Sequence, residues 1–185
     1  MSEIAQHDAH PANAFDRIVD DWLERVRGNP VADRVFVLAS ELGDFSLIWH
    51  MVGAARGTIS DADADQSLLF AALLGVESLV VNQGLKRLFN RRRPTVDGDP
   101  RFPVRRPSTS SFPSGHSSAA FFAATMLTKR DGIRTAPLWF SLAGAVATSR
   151  AYVRIHYPSD VAAGALVGAV LGQGAIALLR AVRSR

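Results

Sequence analysis

The segment Asp160–Ala181 carries one polar side chain in its interior, Gln173. A helix of that composition has no polar face to turn to water. It also reaches the roughly 20 residues that a helix needs to cross a bilayer. Four further apolar segments precede it. They are Val35–Ala55, interrupted by Glu41, Asp44 and His50; Leu68–Leu88, with Glu77, Asn82 and Gln83 inside; Ser114–Leu127; and Pro137–Val153. The expected fold is therefore all-α: an integral-membrane helical bundle of about five transmembrane helices. Small residues recur at Ala119, Ala120, Ala123 and Ala124 and at Gly164, Gly168 and Gly172. In lipid such residues let helix backbones approach closely. A charge at mid-bilayer costs about 2.5–3.5 kcal/mol or more. Glu41, Asp44 and Glu77 are thus expected to face the bundle interior or the water boundary.

Upstream of these segments the chain changes character. Met1–Asn13 has neither the basic start nor the apolar stretch of a cleavable signal peptide and reads as a disordered start. From Ala14 to Arg27, Phe15, Ile18, Val19, Trp22 and Val26 fall at helical spacing, with Asp16, Arg17, Asp20, Asp21, Glu24 and Arg25 opposite. Such a helix either packs on the bundle or lies in the membrane interface with Trp22 as anchor. The expected organisation is a start plus amphipathic interfacial helix over 1–33 and one helical-bundle domain over 34–185. Cysteine is absent, which removes disulfides and thiolate metal sites.

Lysine and arginine are unevenly spread: eight of 21 lie between Lys86 and Arg106. A basic cluster of that kind attracts an anionic partner. Nucleic acid is a poor fit, because no aromatic platform interleaves the arginines and the neighbouring segments are apolar. Three islands carry chemistry. Lys86 and Arg93 lie seven residues apart before Pro94; if the helix runs on to Pro94 they share a face and clamp an oxyanion. A solvated basic flank explains the same residues. Phe112-Pro113-Ser114-Gly115-His116 precedes an alanine-rich helix, whose free N–H groups and dipole bind anions. There Gly115 gives close backbone approach, Ser114 a hydroxyl and His116 a proton. Ser149-Arg150 to His156 and Asp160 adds a third cation and an imidazole with a carboxylate near it. A carboxylate that accepts one ring N–H leaves the other nitrogen nucleophilic. A metal at His156 and Asp160 lacks further clustered ligands in the sequence.

In order and spacing these islands resemble the signature of the type 2 phosphatidic acid phosphatase superfamily: K-x-x-x-x-x-x-R-P, then P-S-G-H, then S-R-x-x-x-x-x-H-x-x-x-D. Every signature position is matched from Lys86 to Asp160. The resemblance implies a membrane phosphatase that needs neither metal nor other cofactor. It implies His156 as nucleophile, Asp160 as its orienting carboxylate and His116 as general acid. Lys86, Arg93, Ser114, Gly115 and Arg150 would hold the phosphoryl oxygens. The implied partners are a lipid phosphate substrate and membrane lipids, with no nucleic acid. Arg101, Arg105 and Arg106, on the loop Pro94–Phe112, either grip a second phosphate or sugar phosphate of the substrate or attract anionic headgroups. The expected location is the cell membrane, multi-pass, and the distribution of cations tips the site toward the cytoplasmic face. The alternative is a non-catalytic lipid-binding or scaffold protein that retains the motif; both histidines being in place favours the enzyme.

Overall fold

The computed structural model describes residues 11–95 and 99–184. Most of the expected disordered start lies outside the described residues; from Pro11 the chain is helical. Among the described residues seven α-helices follow in order: α1 Pro11–Glu24, α2 Pro30–Gly43, α3 Leu47–Gly57, α4 Asp61–Leu79, α5 Gly115–Asp131, α6 Ala136–Tyr152 and α7 Pro158–Arg183. No strand occurs among the described residues. Local chemistry accounts for the ends. Asn29 accepts from the Val31 and Ala32 amides before Pro30 opens α2. Ser60 accepts from the Asp63 amide at the start of α4, where Asp61 and Asp63 meet the positive end of the helix dipole. Pro158 opens α7.

Three stretches are long and apolar enough to cross a membrane: Pro30–Gly57, Asp61–Leu88 and Pro158–Arg183. The first was expected as one segment and is two helices. Phe45 (φ 52°) and Ser46 (φ 59°) take left-handed conformations between α2 and α3, breaking the chain just after Asp44. Helices α5 and α6 have 17 residues each, about 25 Å, the short end of what spans a bilayer. Of the five apolar segments expected, three are thus long and apolar enough to cross, and α5 and α6 are shorter helices packed among them. Helix α5 runs through the middle of the bundle, against α4, α6 and α7, with Ser117–Ala120 and Phe122–Thr125 buried.

Helix α7 has its small residues inside and its large apolar residues outside. Gly164, Gly168, Gly172 and Ile176 are buried, while Leu166, Val170, Leu178 and Val182 are exposed. That arrangement suits lipid, where close backbone packing holds helices together. The contact is tight enough that a methyl group on Gly168 would collide with the Ser118 carbonyl of α5. Gly168→Ala is therefore expected to destabilise the protein by about 1–3 kcal/mol or more. Gly174→Ala, which meets open space, is expected to be neutral or stabilising. Thermal unfolding in detergent compares the two; equal midpoints would contradict the packing.

One expectation is corrected here. Lys86 and Arg93 do not share a helix face. Helix α4 loosens into a π turn over Val80–Gly84, tightens into a 3₁₀ turn over Leu85–Leu88 and stops, so Arg93 lies on irregular chain beyond it. Gly84 (φ −96°, ψ −84°) lies at the join between the two turns. The loop beyond it folds back over the bundle end. Phe89 meets Phe112 edge-on, and Phe102 is buried against Tyr152.

Candidate active site

The two ends of the bundle differ. Lys86, the first turn of α5, the last turn of α6 and the first turn of α7 all lie at one end, with the described loop residues 89–95 and 99–114 beside them. His156 follows α6 and is fully buried. Its Nδ1 lies 3.5 Å from Asp160 Oδ2, one helical turn on, and 3.4 Å from Ser111 Oγ. Its Nε2 lies 3.1 Å from Arg93 Nη1. With the Nδ1 proton turned to Asp160, the Nε2 lone pair accepts from Arg93. Burial is the main cause that pushes the His156 pKa down, to about 3; Asp160 opposes it, and Arg93 and Arg150 add to it. The imidazole is neutral at physiological pH, as a nitrogen nucleophile must be.

Asp160 is itself held on every side. It accepts from Ser111 Oγ, from the Tyr157 amide at 2.9 Å and from Arg91 at 2.6 Å. Four donors, counting His156, fix one carboxylate, so the ring it orients has little freedom. The first-turn backbone of α5 is tied to the same place, since the Ser114 amide donates to the Asp160 carbonyl at 3.0 Å.

Arg150 is fully buried on α6. One nitrogen, Nη1, donates to Ser40 Oγ at 2.5 Å and to the Ser40 carbonyl at 3.0 Å. Its Nε and Nη2 have no hydrogen-bond partner among the described residues. Buried donors are nearly always satisfied, and two adjacent guanidinium N–H groups match two oxygens of a phosphoryl group. Arg93 and Arg105 lie within electrostatic range of Arg150. Lys86, 3.4 Å from Thr109 Oγ1, feels Arg93, Arg150 and Asp160. Among the described residues no three histidines or carboxylates cluster as metal ligands. The donors gathered at this end are cations and N–H groups, the complement of an oxyanion.

The remaining expected residues fall as follows. Ser114 caps α5; its oxygen accepts from the Ser117 amide and hydroxyl, which leaves its own proton to donate. Gly115 makes room for Asn82: a Cβ there would come within 2.7 Å of the Asn82 side-chain oxygen. His116 Nε2 lies 2.6 Å from Asp44 Oδ1, so the break after α2 delivers a carboxylate to this ring. Asp44 also lies 3.5 Å from Arg150. Asp44 and Glu77 face inward, whereas Glu41 is exposed beside the break. Arg105 stacks over Phe45 at 4.5 Å and feels Asp44. Arg106 donates to the Thr95 carbonyl at 2.6 Å and lies near Arg93. Arg101 points elsewhere: it pairs with Asp99 at 2.8 Å and with Glu24 of α1 at 2.9 Å. Sequence reasoning missed Asp44 as the partner of His116, and Ser40, Asn82, Arg91 and Ser111 altogether. A cavity of about 1360 Å³ opens between α1 and the loop, with His156, Arg91 and Arg154 among its walls.

Fold and site together define a multi-pass helical membrane protein that gathers cations and N–H donors at one end of its bundle. The PAP2 superfamily profile matches residues 66–183. The chain belongs to the PAP2 superfamily, whose matched members include polyprenyl-linked and lipid phosphatases. It is 34% identical to decaprenylphosphoryl-5-phosphoribose phosphatase of Mycobacterium tuberculosis over 142 residues, 66% of this chain and 77% of that one. It is 36% identical to undecaprenyl-diphosphatase of Sulfolobus acidocaldarius over 107 residues, 55% of this chain and 47% of that one. In fold it resembles the transmembrane PAP2-type phosphatidylglycerolphosphate phosphatase of Bacillus subtilis, with a TM-score of 0.72 at 24% identity over 96% of this chain and 91% of that one. It also resembles Aquifex aeolicus LpxE, with a TM-score of 0.66 at 24% identity over 88% and 93%.

Proposed function

We propose that this chain is a metal-independent lipid phosphate phosphatase working through a phosphohistidine. The observation that carries the proposal is the pairing of a buried, neutral His156, backed by Asp160, with the unsatisfied guanidinium fork of Arg150 close by. In the proposed reaction Nε2 of His156 attacks phosphorus and the bond to the leaving oxygen breaks. His116 gives that oxygen a proton. Lys86, Arg93, Arg150, the Ser114 hydroxyl and the amides of the first turn of α5 take up the charge of the phosphoryl oxygens. Water then attacks phosphorus, His116 takes its proton, and the P–N bond breaks to release inorganic phosphate. Phosphomonoester hydrolysis is among the slowest uncatalysed reactions. What a site must supply is in-line placement and charge neutralisation. A cradle of cations does both.

The substrate proposed is a phosphate at the polar end of a membrane lipid. Of the candidates phosphatidic acid, phosphatidylglycerol phosphate, polyprenyl diphosphate and a polyprenyl-linked sugar phosphate, we place the last first. The similarity to the mycobacterial phosphatase favours it, and so does a cavity lined by both acids and cations, which suits sugar hydroxyls. Purified protein in detergent with EDTA is expected to release phosphate from at least one of the four. Loss of activity on chelation would contradict the metal-independent reading, and binding without release across the panel would favour the scaffold. The proposal includes a site on the cytoplasmic face of the cell membrane, which rests on the charge distribution. The same assay on sealed vesicles of each orientation checks it.

A further inference from the structure

Helix α1 is turned inside out relative to an ordinary surface helix. Asp16, Asp20 and Glu24 turn to the protein, with Leu23 packed against the cluster of Phe102 and Tyr152, and the larger part of its apolar residues face away. Phe15, Ile18, Trp22 and Val26 are all exposed, Trp22 at 63%. They repeat at three- and four-residue spacing and so form one stripe along the helix and the turn after it. Arg25 stacks over Trp22 at 4.7 Å. On the other side Asp20 and Glu24 pair with Arg27 and Arg154. The helix thus docks on the active-site end of a membrane-spanning bundle, with an apolar stripe beside the level where the spans leave the bilayer. The occupant that fits such a stripe, with a tryptophan and an arginine on it, is the lipid–water boundary.

Asp16 reaches furthest inward. It is buried, and it accepts from the Ser159 amide at 2.7 Å and the Ser159 hydroxyl at 2.8 Å. Its other contact is Arg91, at 2.7 Å. Arg91 in turn donates to Asp160 at 2.6 Å and to Ser159 Oγ at 2.7 Å, and its guanidinium lies over the Tyr157 ring at 4.2 Å. A continuous charged chain therefore runs Asp16–Arg91–Asp160–His156. Burial works against the Arg91 charge, but Asp160 and Asp16 outweigh it and raise its pKa.

We propose that α1 is an interfacial clamp: its apolar stripe seats in the lipid boundary, and Asp16, through Arg91, sets the orientation and charge of Asp160 and hence of His156. Asp16 and Arg91 are positioning residues. The kinetic half of this inference rests on the phosphatase reading above; the seating of α1 does not.

Removing Arg91 leaves Asp160 with more uncompensated negative charge, which makes His156 easier to protonate. The other groups that face the pair are unchanged: Arg93 and Ser111 from the loop, Arg150 from α6, Lys86 from the end of α4 and the Tyr157 amide. Arg91→Met is therefore expected to lower kcat about tenfold or more, with KM for a short-chain soluble phosphate ester little changed; outer partners of an active group typically matter by about 10–100-fold. The variant-to-wild-type rate ratio should fall further as pH drops from about 6 to about 4. Asp16→Asn removes one anchor of Arg91 but keeps its charge, so kcat should fall less than in Arg91→Met, and the rate ratio should not fall as pH drops, because losing an acid makes His156 harder to protonate. The double variant should be no worse than Arg91→Met, because both act along one chain. Arg91→Lys, which keeps the charge, should restore the pH profile and part of kcat, and it serves as the control should Arg91→Met fold poorly. A rate ratio for Arg91→Met that is flat with pH, or additive losses in the double variant, would overturn the coupling. Seating is read without turnover, in vesicles of phosphatidylglycerol and phosphatidylcholine brominated near the headgroup end of the chains. Quenching of tryptophan fluorescence is expected to drop in Trp22→Phe. An unchanged signal would overturn the seating, and a wild-type protein inactive on every phosphate would strike at the phosphatase reading instead.

Discussion

Replacing His156 by alanine is expected to abolish phosphate release, with a loss of about 10⁴-fold or more, the scale seen when a nucleophile-and-base unit loses one member. That corresponds to about 5.5 kcal/mol of barrier. The imidazole is neutral, oriented by Asp160 and set among Arg93 and Arg150, whereas the second imidazole at this end, His116, is engaged by Asp44. The fold should survive the change. His156 is anchored through its backbone, whose amide donates to the Arg150 carbonyl at 3.1 Å, and the alanine keeps that bond. A monodisperse His156→Ala protein with wild-type turnover would remove this mechanism. Steady-state phosphate release, read beside a thermal unfolding midpoint, separates lost chemistry from lost structure.

His116→Ala is expected to cost about 10²–10⁴-fold, the usual worth of a positioned general acid. The size of the loss should depend on the leaving group. An alkyl phosphate departs as a basic alkoxide and needs the proton; an aryl phosphate with an acidic phenol does not. The variant should therefore lose far less activity toward the aryl ester. Asp44 bears on the same step. At 2.6 Å from Nε2 it selects which ring nitrogen faces it and leaves Nδ1 for the substrate side. An equal loss toward both esters would assign His116 to binding rather than to proton transfer.

Much of this was legible in the amino-acid sequence because the signals were local. Helix α7 announces itself by composition, and its glycine repeat marks the face that meets α5. The three islands carry residue types whose chemistry is specific even before they are brought together. What could not be read depended on the path of the chain. Phe45 and Ser46 are ordinary residues in left-handed conformations, and no propensity marks a break there. Asp44 therefore looked like a charge inside one long span, not the carboxylate at its kink. A shared face for Lys86 and Arg93 depends on the helix running on to Pro94; a π turn and a 3₁₀ turn unwind it instead, and Lys86 and Arg93 still come within electrostatic range of each other. Arg91 sits beside Arg92 and Arg93, and composition cannot tell which of three adjacent arginines meets Asp160. Ser111 lies just outside the recognised motif and had no distinguishing neighbour. The amphipathic pattern of α1 was plain. Its orientation was not, because the pattern is the same whichever face turns to the protein.

The most direct measurement is to quench turnover of a ³²P-labelled lipid phosphate in alkali, where a phosphohistidine survives, and to map the label. The account requires radioactivity on His156, lost in acid, missing from His156→Ala and more abundant in His116→Ala, where water attack is slowed. Label on another side chain, or none under conditions of steady phosphate release, would mean that the imidazole never bonds to phosphorus.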